Sequence, residues 1–130
     1  RNSSPSTQLG QALVIASIGG NDFLRRLPSG DTEAALRRIV AASREASALV
    51  LLVAVPQPSL AGAAGLGLAD HPLYARLAEE LQLPLHAGGW SRVLGDDKLK
   101  SDAIHANAAG YRAFTEGLAA TLRTQQLLAH

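Results

Sequence analysis

Ala48-Leu-Val-Leu-Leu-Val-Ala-Val55 contains no polar side chain and runs into Pro56 and Pro58. A strand with one wet face alternates apolar and polar residues. An uninterrupted apolar run this short suits a strand covered on both faces, as in a parallel sheet between helical layers. Ala12-Leu-Val-Ile-Ala-Ser-Ile18 has nearly the same character and stops at Gly19-Gly20. Between the two, Ala35, Leu36, Ile39, Val40 and Ala42 make an apolar helical stripe, with Arg37, Arg38 and Arg44 in water. Asp31 or Thr32 would cap this helix, which is predicted to run through Ala46. Residues 57–69, rich in Gly, Ala and Pro, read as a long surface loop. Leu73, Tyr74, Leu77 and Leu81 then recur at helical spacing with Arg76, Glu79 and Glu80 outside. Leu83-Pro-Leu-His86 is a short strand, Trp90 to Leu94 a weak helical turn, and residues 106–128 a last helix. Tyr111, Phe114, Leu118 and Leu122 form its stripe. Strand and helix alternate throughout, which describes βαβ crossovers and a three-layer α/β/α fold around a parallel sheet.

A chain of 130 residues with 47% hydrophobic content suits one domain with a sizeable core. Residues 1–11 are polar and Ser-rich and read as a tail, leaving 12–130 as the folded unit. Twelve basic against eleven acidic residues give a net charge of +1, so no electrostatic case exists for a nucleic-acid partner. The lack of cysteine excludes a disulfide, a thiol nucleophile and a thiolate metal site, and leaves the redox compartment open. No methionine is present either, so Arg1 is not expected to be the native start, and a leader peptide could lie upstream. His71 and His86 lack the clustered Asp, Glu or Cys of a metal centre, and neither a metal nor another cofactor is expected.

Two stretches carry chemistry. Gly19-Gly20-Asn21-Asp22 follows the first strand at the end where open parallel sheets bind ligands. Its glycines allow a sharp turn and close approach, and the Asn21 amide can donate to a developing oxyanion. Alone, the tetrapeptide reads better as an ordinary turn. Ser101-Asp102-Ala-Ile-His105 lies just ahead of the last helix. A carboxylate three residues before an imidazole can hold one ring nitrogen while the other faces a substrate, which orients a general base. Alone, it reads better as Asp102 capping a helix with His105 in its first turn. Asn107 would cap the helix that follows.

Taken together, Ile18-Gly-Gly-Asn-Asp-Phe-Leu-Arg-Arg-Leu-Pro28 and Ser101-Asp-Ala-Ile-His-Ala-Asn-Ala-Ala-Gly-Tyr111 resemble the SGNH hydrolases, or GDSL esterases/lipases. Within these the resemblance is to the bacterial arylesterase, thioesterase and lysophospholipase group, and it extends from about Leu13 to Leu128. It implies a flavodoxin-like α/β/α sandwich that cleaves a small acyl ester or thioester without a metal or cofactor. It also implies a bacterial periplasmic or cytoplasmic setting. By this resemblance Asn21 is the oxyanion-hole asparagine, Gly20 the glycine before it with Gly19 in the same supporting loop, and Asp102 and His105 the acid and base.

The resemblance is to the C-terminal portion of such a domain. The strand ending in Gly-Asp-Ser-Leu, which carries the family's nucleophilic serine, should come many residues before Ala12 and is not in this sequence; the block with the oxyanion-hole glycine is likewise not found. Ser29-Gly30-Asp31-Thr32 does not replace it, because it follows the asparagine block. Ser3, Ser4 and Ser6 have no strand before them, and position 106 is Ala where the family often has Pro. The N-terminal strands would flank Ala12–Ile18, so that edge is expected to seek the missing N-terminal fragment or a second copy of the chain. The rival reading is an inactive flavodoxin-like remnant serving as a binding or assembly module. Against it stands the joint presence of Asn21, Asp102 and His105.

Overall fold

A computed structural model describes residues 12–18, 29–57, 67–102 and 105–127. Three strands form a parallel sheet in the order β1 (Leu13–Ala16), β2 (Leu49–Val53), β3 (Leu85–His86). Leu13 pairs with Leu49 and Ala16 with Leu52, and the register continues from Leu52 to Leu85. Helix α1 (Ser29–Glu45) links β1 to β2, and α2 (Pro72–Leu81) links β2 to β3. A short α3 (Gly89–Leu94), a 3-10 turn (Asp97–Leu99) and the long α4 (Ala108–Thr124) follow.

Successive side chains of a strand point to opposite faces, so one buried strand must feed two cores. Leu52 and Ala54 pack with Leu36 of α1 and with Leu73, Tyr74 and Leu77 of α2. Val53 packs instead with Val93 of α3 and Phe114 of α4. The sheet is therefore sandwiched between two helical layers, as the apolar run 48–55 requires. Leu51, Leu52 and Val53 are essentially inaccessible to water.

The outer strand β1 departs from the two-sided burial its sequence suggests. It pairs with β2 on one side among the described residues, and Ile15 is 41% exposed. An apolar run thus marks a sheet strand without showing that all of its side chains are buried.

Local chemistry moved several boundaries. Helix α1 begins at Ser29, so Asp31 sits in its first turn rather than at the cap, where its charge complements the helix dipole. Thr32 is buried, Ala42 is exposed, and the stripe is continued by Ser43, whose hydroxyl donates to the Ile39 carbonyl. Helix α2 keeps its expected ends. His71 caps it through Nδ1, which accepts from the Leu73 amide at 3.1 Å, and Pro72 opens it, where a missing N–H costs nothing. Gln82 closes it in the left-handed conformation. Residues 58–66 of the loop lie outside the described residues; its flanks join through a Pro56–Asp70 bridge. No helix among the described residues is long and apolar enough to cross a membrane.

Four charges tie α1 to α2. Arg37 donates to Glu33 at 2.9 Å and to Glu80 at 2.6 Å, while Arg76 donates to Glu33 at 2.7 Å. Hydrogen bonds from Arg76, then from Arg37, hold the Glu33 carboxyl at about 2, well below the ordinary 4.5. Because the folded state favours ionised Glu33, its contribution is complete above about pH 4.5 and disappears as the pH falls through about 2. Glu33→Gln should flatten the stability profile over that acid range and leave the slope above pH 5 unchanged. Chemical denaturation at stepped pH measures both, and added salt should shrink the difference.

Candidate active site

Parallel strands leave all three carboxyl ends at one edge of the sheet, and the helices that follow begin there. Three features converge on this edge. At the exit of β1, the buried Tyr74 hydroxyl donates to the Ile18 carbonyl at 2.6 Å. The indole Nε1 of Trp90, in the first turn of α3, donates to Ser17 Oγ at 3.2 Å. The same indole stacks on Phe114 at 3.8 Å between ring centroids and meets Tyr111 edge-on at 6.0 Å. Ser17, Trp90 and Tyr111 thus form a contact path from the end of β1 to the start of α4. Tyr111 was expected on the buried stripe of α4; it is 51% exposed and flanks Trp90 instead, leaving Phe114 and Leu122 to bury the helix.

The segment ahead of α4 is a closed loop. Lys100 and Ala106 form an antiparallel bridge, and the His105 carbonyl accepts from the Ser101 amide at 2.9 Å. Inside it, both Asp102 carboxylate oxygens lie 2.9 Å from His105 Nδ1. An ionised carboxylate can only accept, so Nδ1 carries the hydrogen and Nε2 is left as the basic nitrogen. The cap of α4 is Asn107, whose Oδ1 accepts from the Gly110 amide at 2.9 Å while its Nδ2 donates to the Lys98 carbonyl at 2.9 Å. Helix α4 therefore starts at Ala108 rather than at 106 and ends at Thr124. The Asp102 and His105 side chains are both more than half exposed.

Asn21, Gly19 and Gly20, with the Arg25-Arg26 pair, lie outside the described residues; Ile18 is the last described residue before them. The other two histidines among the described residues are occupied elsewhere. His86 is buried, its Nδ1 sits 2.7 Å from Thr121 Oγ1, and its Nε2 faces Gly89 so closely that a Cβ there would lie at 2.6 Å. Burial, then the Arg92 guanidinium, push its pKa below the usual imidazole value against the opposing pull of Asp70. His71, also lowered by burial and by Arg76, spends Nδ1 on its capping bond. No cluster of three potential metal-binding side chains occurs among the described residues.

The sequence reading missed Asp70. Its carboxylate accepts from the Gly88 amide at 2.8 Å and from Ser91 Oγ at 2.5 Å, closing the start of α3. This fixes the short helix that carries Trp90. An acid at the end of a Gly/Ala/Pro-rich stretch was the available signal, but its partners are far along the chain.

The family model for the GDSL-like lipase/acylhydrolases matches residues 2–113. The chain belongs to that family. Among solved structures, TesA superposes on this chain with a TM-score of 0.69 and 25% identity, covering 92% of this chain and 66% of TesA. The psychrotrophic esterase EstA from Pseudoalteromonas sp., in a structure inhibited by monoethylphosphonate, gives a TM-score of 0.73 at 18% identity. It covers 95% of this chain and 67% of EstA. This chain therefore spans about two thirds of the length of each. No curated protein matches it. The three-layer parallel α/β fold and the SGNH resemblance are thereby established for the family member described here.

Gly110 seats α4 against the 3-10 turn: a Cβ there would collide with the Leu99 carbonyl oxygen and crowd Val93. Gly110→Ala should push the helix start off the turn and cost about 1–3 kcal/mol, the usual range for overpacking. Urea unfolding of the variant checks the figure, and the neighbouring Ala109→Gly, which adds no volume, should not reproduce the displacement.

Proposed function

We propose that the protein is a serine esterase or thioesterase, of arylesterase or lysophospholipase type, that hydrolyses small acyl esters. The observation that supports it most is the Asp102 carboxylate held 2.9 Å from His105 Nδ1 in a chain of the GDSL-like lipase/acylhydrolase family. His105 Nε2 takes the proton from a serine hydroxyl as its oxygen attacks the ester carbonyl. Asp102 keeps the ring oriented and stabilises the imidazolium, and Asn21 donates to the tetrahedral oxyanion. On collapse the imidazolium protonates the departing alcohol or thiol. Water, deprotonated by the same Nε2, then frees the acid and regenerates the serine.

The serine is assigned to polypeptide outside residues 1–130, because the family's Gly-Asp-Ser-Leu block is not among them. Residues 1–130 alone should therefore hydrolyse p-nitrophenyl acetate and butyrate no faster than the same chain carrying His105→Ala. Fast, His105-dependent turnover would require another nucleophile and end this assignment.

In the full-length protein, His105→Ala should remove nearly all turnover, and Asn21→Ala should lower kcat by about two to three orders of magnitude. Asp102→Asn should be severe but milder than His105→Ala, since loss of the acid leaves the base in place. Steady-state kinetics on the three variants decide the roles. Near-normal rates for His105→Ala would refute the mechanism.

A further inference from the structure

The contact between Asp102 and His105 joins two arms of one loop. Asp102 lies on the arm that leaves the 3-10 turn, and His105 on the arm that enters α4. Both side chains are more than half exposed, so their attraction is too weak in water to hold the arms in register. The register has to come from the neck of the loop. There the Ser101 amide donates to the His105 carbonyl at 2.9 Å, and the Asn107 amide donates to the Leu99 carbonyl at 2.9 Å. Those are backbone bonds that any residue other than proline can make at these positions. The Asn107 side chain adds one that depends on its identity, from Nδ2 to the Lys98 carbonyl at 2.9 Å.

An N-cap needs an acceptor, which serine or aspartate supplies as well as asparagine does. Asn107 caps α4 with Oδ1, on the Gly110 amide at 2.9 Å, and capping does not account for the amide that donates across the loop. The carbonyl it reaches is itself anchored, because Asp96 Oδ1 accepts from the Lys98 amide at 2.9 Å. One planar side chain thus ties the start of α4 to a pinned turn, two residues after His105. We propose that Asn107 is a positioning residue that holds the two arms in register, so that the Asp102 carboxylate meets His105 Nδ1. The proposal rests on the reading of His105 as the general base.

The test uses the full-length protein, with p-nitrophenyl butyrate for kinetics and nitrogen NMR for the His105 ring. Asn107→Ser keeps a capping oxygen and loses the amide donor without adding charge. It should lower kcat about tenfold while leaving KM unchanged, since it misplaces groups that act in the transition state. In an Asp102→Ala background the same substitution should lower kcat no further. With histidine labelled by nitrogen-15 and the ring neutral, the unsubstituted protein should carry the His105 hydrogen on Nδ1, a signal assigned by its loss in His105→Ala. Asn107→Ser should move part of that population to the Nε2–H tautomer. Asn107→Asp also caps, but it sets an oxygen against the Lys98 carbonyl, so both effects should be at least as large. It carries the test if the serine variant does not fold. A residue that capped α4 and did nothing else would leave the tautomer, and kcat of the folded fraction, unchanged in both variants. That result, or an equal loss of kcat with and without Asp102, overturns the proposal. Near-normal rates for His105→Ala would end the general-base reading instead, and the tautomer still decides whether Asn107 sets the contact, so the two failures are told apart.

Discussion

Leu51, Leu52 and Val53 need cover on both faces of one strand, and the rest of the architecture answers that need. Each large buried aliphatic side chain gains about 1.5–3 kcal/mol on leaving water, so a strand that exposes either face forfeits much of its stabilisation. Two helical layers meet the requirement: α1 and α2 against Leu52 and Ala54, α3 and α4 against Val53. Crossovers between parallel strands return every chain to the same starting edge, so every strand exits at the opposite one. Ser17, after β1, and Trp90, after β3, meet at that exit edge because the connectivity sends their segments there.

The loops are held by hydrogen bonds between distant segments rather than by their own propensity. A six-residue helix such as α3 is too short to persist alone. Asp70, from the far side of β2, satisfies the Gly88 amide and the Ser91 hydroxyl, and Trp90 is thereby presented to both β1 and α4. Asn107 plays the corresponding part for α4, capping the helix with one side-chain atom and holding the 3-10 turn with the other. Asp102 and His105 stand between these two fixed points.

The β2 core and α2 were legible in the sequence because they depend on short-range rules. Eight uninterrupted apolar residues need a two-sided environment, and Leu73, Tyr74, Leu77 with Pro72 suffice to place a helix to the residue. Asp102 and His105 were legible as a pair because three residues of separation already bring them together. What escaped depended on partners distant in sequence. Tyr111 sits at helical spacing from Phe114 yet faces outward, since Trp90 arrives from another element to occupy its flank. Asp31 looked like a cap, but α1 starts earlier, at Ser29. Asp70 and the hydroxyl of Tyr74 carry no local mark of the carbonyl, amide and hydroxyl they reach.

The exposure of Asp102 and His105 bears on how the pair works. Charges that face water attract each other weakly, because the solvent screens them and the side chains lose entropy on pairing. Coulombic attraction is therefore a poor explanation for their contact in this chain. The backbone bonds that close the loop, from Ser101 to the His105 carbonyl and across the Lys100–Ala106 bridge, bring the two side chains within reach before any charge develops. Electrostatics gain strength when water is excluded, as by an acyl chain lying over the imidazole. The same 2.9 Å contact then stabilises an imidazolium far better than it does in the open loop. In the proposed mechanism, then, geometry is set first by the loop, and the electrostatic effect appears when substrate covers it, at the moment the proton is transferred.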